Sequence, residues 1–295
     1  MDIKTLLLVS TLVTIVYGCG FSLYRTQQKT FPGFGFWIAS FFIFSLGYLS
    51  LLIRESIPLY LSIIGGNFCF AYGILLRLDG ISRFTKSKSL KKSYYLTLIP
   101  FIFSIGFFYF AIPDIVVRNL IISFFGAAVA LIISYILTVT PYPFDKRFYY
   151  AAAILSAFMG LSMMIGPILI RRLPSADIFT MGSQYAIHYL FILSFEIGWG
   201  FCLLMMNSQR LEDELRKSEK DLRASNIQLE KTIREKITLS GLLPICSHCK
   251  KIRDDKGYWN QLEAYIEIHS EADFSHSICP ECAKKHYPDF DLSKD

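Results

Sequence analysis

Hydrophobic residues in this chain fall into blocks of spanning length, not into the alternations or single stripes of a soluble domain. Apolar runs occupy Thr5–Tyr24, Phe34–Ile53, Leu59–Leu76, Tyr94–Ile112, Ile115–Val139, Phe148–Ile170 and Tyr185–Met206. Each is close to the roughly 20 residues that a helix needs to cross a bilayer. The first run does not fit a signal peptide: Asp2 spoils a basic leader, the apolar stretch is too long, and no small-residue cleavage motif follows. Pro100 and Pro167 lie inside runs, which membrane helices tolerate.

After Met206 the pattern changes. Neither Gly nor Pro occurs from Phe201 to Ser240, so the seventh helix is predicted to continue through the charged stretch Gln209–Ile237. Forty such residues would extend about 60 Å. Leu215, Leu222 and Leu229 take the d positions of a heptad, which places Glu219, Asn226 and Ile233 at a. A seam of this kind predicts a parallel homodimer whose register is set by Asn226. Glu219 at a and Lys236 at d interrupt it, and a single solvated helix is the alternative.

Gly241-Leu242-Leu243-Pro244 then ends the helix. A knuckle at Cys246-Ser247-His248-Cys249 and a turn at Asp254–Gly257 predict a hairpin. Asn260 is placed to cap a short helix carrying Leu262, Tyr265 and Ile266 on one face. Tyr258, Trp259 and Tyr265 are expected to form a mini-core. A second hook, Cys279-Pro280-Glu281-Cys282, starts another helical turn. The predicted fold is mainly α and membrane-embedded. Its parts are a seven-transmembrane bundle at 1–206, a coiled-coil helix at 207–240 and a small treble-clef-like α+β module at 241–295.

Composition supports the membrane class: of 295 residues, 53% are hydrophobic and only 18% charged. The net charge of +6 is uneven, since residues 1–206 hold 15 Lys and Arg against 7 Asp and Glu. That imbalance suits a membrane anchor and gives no reason to invoke nucleic acid. The connections after spans one, three and five contribute Arg25, Lys29, Arg77, Arg83, Lys86, Lys88, Lys91, Lys92, Lys146 and Arg147. The opposite face has Lys4, Arg54, Arg118, Arg171 and Arg172. The more basic face is expected to be cytoplasmic, with the N-terminus outside and the cysteine segment inside. Tyr24, Tyr94, Tyr95, Tyr149 and Tyr150 fall where an inner aromatic belt belongs.

Polar residues within the spans are few. Glu196 and Asn67 share a depth and are expected to be able to hydrogen-bond, either for sensing or as interhelical glue. His188, two turns away from Glu196, suits the interface or an outward-facing pocket. A retinal protein needs a lysine in the seventh span, and Tyr185–Met206 has none. No internal repeat of the kind found in secondary transporters is evident.

Cys246, Cys249, Cys279 and Cys282 form two C-x-x-C hooks, the spacing of a tetrathiolate metal site. Zn²⁺ in a structural role is favoured, because a module of about fifty residues is too small to rely on a hydrophobic core. Lys250, Lys251, Arg253, Lys284 and Lys285 flank the hooks and favour thiolates. Lys250 and Ala283 follow the two hooks, so covalent haem attachment through C-x-x-C-H fails. A rubredoxin-like iron site shares the pattern but lacks here the glycines usual after the second cysteine.

Several of these stretches carry resemblances. Phe31-Pro32-Gly33-Phe34-Gly35-Phe36-Trp37, Leu46-Gly47 and the basic stretch after span three resemble the seven-helix sensor regions that precede bacterial diguanylate cyclase and histidine kinase domains. Leu222–Asn226 and Leu229-Glu230 look like the signalling helices that follow such sensors. Leu243–Cys246, Lys250–Arg253, Gly257–Trp259 and Cys279–Cys282 resemble a cysteine-rich module of bacterial two-component signalling proteins. The chain departs from these families in having no Gly-Gly-Asp/Glu-Glu-Phe loop, no phosphoacceptor-histidine helix and no ATP lid. What the resemblance implies is a non-enzymatic sensor or adaptor in a bacterial inner membrane, addressing a kinase, cyclase or response regulator. A transporter or channel subunit with a zinc tail, or a rubredoxin-like electron-transfer protein, are the alternatives.

Overall fold

A computed structural model describes residues 3–85, 92–141, 146–170, 183–239, 243–254, 256–269 and 273–287. The basic residues Lys86, Lys88, Lys91, Arg171 and Arg172, the helix breaker Gly241-Leu242 and Asp255 of the turn lie outside them. The chain divides into two compact units, Met1–Ser218 and Glu219–Asp295.

Among the described residues, seven helices are long and apolar enough to cross a membrane. They are α1 (Ile3–Gln27), α2 (Phe34–Leu52), α3 (Leu61–Phe84), α4 (Lys92–Phe110), α5 (Ile115–Val139), α6 (Arg147–Ile170) and α7 (Ser183–Leu239). Their outward faces carry large apolar side chains such as Phe103, 73% exposed, and Ile154, 70% exposed. Such a surface suits hydrocarbon rather than water. Several hydroxyl side chains within the spans are satisfied locally. Ser10, Thr11 and Thr14 of α1 bond carbonyls of their own helix at 2.8–2.9 Å, leaving nothing polar for lipid to solvate.

Two helices depart from their predicted limits. The first turn of α3, Leu61–Gly65, is π-helical, and reciprocal bonds between Ser50 and Ser62 hold it to α2. At its far end α3 runs eight residues past the apolar run that ended at Leu76, so Arg77 and Asp79 are helical and buried rather than in a loop. In α4 the helix breaks at Leu96–Thr97 and resumes at Leu98, which leaves Pro100 within a first turn where its missing N–H costs little. Asp114 caps α5, its carboxylate accepting from the Val116 and Val117 amides.

The core is aromatic and tight. Trp37, Phe34, Phe41 and Phe84 are fully enclosed, together with Trp199 of α7. Gly33 (φ 100°) turns the chain into α2 directly against the Gly80 carbonyl of α3, and Gly80 in turn lies under Trp37. A Cβ at either position would collide with its neighbour. On the other side, Tyr17 of α1 lies over Gly200 of α7 and donates to the Ile197 carbonyl at 2.8 Å. Of the expected aromatic belt, Tyr94 and Tyr150 are exposed, whereas Tyr149 is buried against Phe84.

The second unit contains the polar part of α7 and the cysteine module. Leu215, just before the unit boundary, and Leu222 and Leu229 within it are all exposed. In the module, β1 (Ile252–Arg253) pairs antiparallel with β2 (Trp259–Asn260), followed by α8 (Leu262–His269) and α9 (Pro280–His286). Asp254 organises the hairpin turn, its carboxylate accepting from the amides of Lys256 and Tyr258 and from the Asn260 side chain. Asn260 is therefore a strand residue tied to Asp254, not the cap of α8. The predicted aromatic mini-core is also corrected. Tyr258 and Trp259 are exposed, and the fully buried side chains among the module's described residues are Ile252 and Ala283. Two-residue strands provide too little second layer to cover rings of that size.

Candidate functional site

The bundle encloses a buried ion pair. Arg77 of α3 and Glu196 of α7 meet side by side, Nη1 donating to Oε1 at 3.0 Å and Nη2 to Oε2 at 2.5 Å. Both side chains are 4% exposed. The guanidinium also lies over Phe44 and Phe41, 4.1 and 5.3 Å from their ring centroids. A carboxylate in hydrocarbon is very costly unless it is neutralised, and the planar guanidinium fork supplies two charge-assisted bonds at once. This replaces the expected Glu196–Asn67 contact. Asn67 instead donates to the Ile63 carbonyl of its own helix at 2.7 Å, beside the π-helical turn.

Arg77 was the residue that sequence reasoning misplaced, because mean apolarity ends one residue before it. The signal that would have found it is helical phase: Ala71, Leu75, Leu78 and Ile81 continue a buried stripe through the charged residues. Removing Arg77 from the basic face leaves nine cations there, still in excess of the five opposite.

Beside the pair lies a cavity of about 300 Å³. Glu196, Asn67 and His188, the three intramembrane residues singled out from sequence, all line it. His188 thus faces the cavity rather than a lipid interface alone. At one end, near the end of α2 and the starts of α5 and α7, stand Arg54, Arg118, Asn119 and His188. At the other stand Arg77, Ser156, Glu196 and Trp199. The rest of the wall is mostly apolar, with Phe44, Phe70, Phe125, Ile133 and Met159, and also carries Asn67 and Ser123. Three donors at the second end have no hydrogen-bond partner: Arg77 Nε, Ser156 Oγ and Trp199 Nε1.

A second group of contacts fastens α7 further along. Arg210 donates to the Phe84 carbonyl at the end of α3 and stacks over Phe31 and Phe84. Asn207 accepts from the Phe31 amide and donates to Tyr24 Oη and the Lys29 carbonyl, each at 3.3 Å. Sequence reasoning treated both as ordinary residues of the polar helix. They are buried and join α7 to the α1–α2 connection and to α3.

The cysteine module forms each hook separately. The Cys249 amide donates to Cys246 Sγ and the Cys282 amide to Cys279 Sγ, both at 3.5 Å, and Cys279 caps α9. Lys250 takes a left-handed conformation (φ 60°) right after Cys249, the position where glycine is usual. These amides, with that of His248 at the first hook, hold the Cys246 and Cys279 thiols below the ordinary thiol range. Hydrogen bonding to Cys279 pushes Cys282 up. All four cysteines are free. Among the described residues, no three His, Cys, Asp or Glu side chains are gathered closely enough to hold an ion.

Comparison with protein-family models, curated proteins and solved structures returns no match.

Proposed function

We propose that this protein is a non-enzymatic membrane sensor or adaptor of bacterial type, in which the bundle detects a cue and the cysteine module docks a cytoplasmic signalling partner. The observation that carries this reading is the continuity of α7. One uninterrupted helix bears Glu196 in the bundle cavity, Asn207 and Arg210 in the contacts beyond it, and then the exposed leucines. A change at the cavity that shifts α7 against α3 must strain both the Arg77–Glu196 pair and the Arg210–Phe84 contact, because one rigid element bears both. Two stable settings of those contacts would serve as a switch.

The leucine stripe supports a homodimer through that helix, since apolar side chains every seven residues gain burial only against a partner. Cys246, Cys249, Cys279 and Cys282 would hold Zn²⁺, which would fix the module's fold. The nearby lysines would supply positive charge to a docking surface. The excess of basic residues on the face of Arg25, Lys29 and Lys146 supports placing the module in the cytoplasm.

Proximity labelling from a tag at the C-terminal end tests the reading. A signalling protein labelled by the wild type and lost with Cys246→Ser supports it. An unchanged set of labelled proteins overturns docking through the module. Glu196→Gln should alter labelling of the same partner if the cavity controls the output.

A further inference from the structure

One end of the bundle cavity gathers donors that the protein itself does not pair. Arg77 Nε, Trp199 Nε1 and Ser156 Oγ belong to cavity-lining side chains at least nine-tenths buried, and none of the three atoms has a hydrogen-bond partner. They share a depth. Glu196, which engages Arg77 through both Nη atoms, lies one turn before Trp199 on α7. Leu155 of α6 packs against Gly198 of α7, so the next residues, Ser156 and Trp199, stand at one level. An arginine Nε and an indole N–H can only donate, and a serine hydroxyl donates as readily as it accepts. Buried donors are unfavourable until an acceptor reaches them, so this end is built for an acceptor atom. The acceptor's charge is constrained as well. Arg77 is already neutralised by Glu196, whose carboxylate disfavours a second anion beside it, and donors give a cation nothing to bind. A neutral oxygen meets both conditions. At the opposite end Arg118 is offset by Asp114, and that end takes no part.

We propose that this end of the cavity binds a small neutral aryl ketone, whose oxygen would accept from Trp199 Nε1 and Ser156 Oγ, with Arg77 Nε as a third donor at the same end. The adjoining wall sets the body of the ligand: Phe44, Phe70, Phe101 and Phe125 suit the face or edge of an aromatic ring. Asn67 and Ser123 interrupt those rings, Asn67 already donating to the Ile63 carbonyl. A space of about 300 Å³ at about 30 Å³ per water-sized group holds roughly ten non-hydrogen atoms. That admits a two-ring ketone and excludes a whole phospholipid. Such a ligand would bridge α6 and α7 one turn from the Arg77–Glu196 pair. It would give the sensor reading a ligand class, and depends on that reading only for the claim that occupancy is signalled.

Calorimetric titration of the full chain in phosphatidylcholine nanodiscs tests this, with α-tetralone as the probe and the heat of matched empty nanodiscs subtracted. The wild type is expected to bind α-tetralone saturably at a single site. Tetralin, the same frame without the oxygen, should bind about tenfold more weakly. Ser156→Ala and Trp199→Phe should each weaken α-tetralone several-fold and leave tetralin unchanged, a distinction that a general packing defect would not produce. The infrared carbonyl stretch of the bound ketone should lie below its value in lipid and return toward that value in Trp199→Phe. Where a variant does not fold, the wild-type comparison of ketone with tetralin still decides. Three results each overturn the proposal: no saturable binding above empty nanodiscs at about 1 mM, tetralin or 1-naphthoate bound as tightly as the ketone, or folded variants that bind the ketone like wild type. Titration involves no signalling partner, so this failure is distinct from unchanged proximity labelling with Cys246→Ser.

Discussion

Arg77 and Glu196 show how one residue pair can dominate the energetics of an apolar bundle. Removing one partner leaves the other charged and buried, at a cost of about 3–5 kcal/mol. Arg77→Leu is therefore expected to lower the melting temperature of the detergent-purified protein sharply. Arg77→Met combined with Glu196→Leu should recover most of the loss, because no charge is then stranded. A double variant as unstable as the single one would mean that packing, not charge, sets the cost. Lys250 makes a smaller statement of the same kind. At φ 60° its Cβ is crowded, so Lys250→Gly should stay within about 1 kcal/mol of wild type in a chelator-competition midpoint. Lys250→Val should lose about 1–2 kcal/mol. At this scale the sequence was informative about residue type but not partner. Glu196, Asn67 and His188 stood out as polar groups in apolar runs. Glu196's true partner lay where hydropathy had already declared a loop.

Helices were the most legible feature, because a span announces itself by an apolar stretch of fixed length. Their ends were not. α3 continues to Phe84 since the helix keeps its buried stripe while its exposed face turns polar, and hydropathy averaged over both faces cannot register that. The π-helical turn at Leu61–Gly65 was equally hidden, for it depends on contacts with Ser50. The same reasoning makes α7 testable. If Leu222 lies in a dimer seam, Leu222→Cys should cross-link copies of the chain in membranes rapidly. Ala224→Cys, at the outward f position, should not. Equal cross-linking at both would remove the coiled coil and leave a solvated helix. Repetition of leucine was plain in the sequence, while Asn207 and Arg210 gave no hint of their buried contacts with the α1–α2 connection.

Considered as a whole molecule, the chain joins two stability regimes. The bundle is held by ring packing and internal polar contacts. The module has Ile252 and Ala283 as its fully buried side chains among the described residues, far too little to offset the entropy of ordering about forty residues. Its hairpin and hooks therefore need a further constraint. Chelation of purified protein should abolish the protease resistance of the region after Pro244 while leaving α1–α6 protected, and Cys279→Ser should do the same without chelator. A module equally resistant in both cases would exclude a structural metal. The hook spacing was readable because two C-x-x-C pairs stand out in any sequence. The exposure of Tyr258 and Trp259 was not, because aromatic residues in sequence carry no mark of which side of a two-residue strand they occupy.

The ion pair has a further consequence, for biogenesis. Arg77 and its counter-ion are 119 residues apart in the chain, so at about 10 residues per second the ribosome needs roughly ten seconds to deliver Glu196 after Arg77. During that interval α3 enters the translocon with an uncompensated guanidinium. The third span must wait at the lateral gate, or tilt its arginine toward water, until the seventh arrives. Chains truncated before α7 should accordingly be recognised by membrane quality-control proteases, and supplying α7 as a separate polypeptide should rescue them.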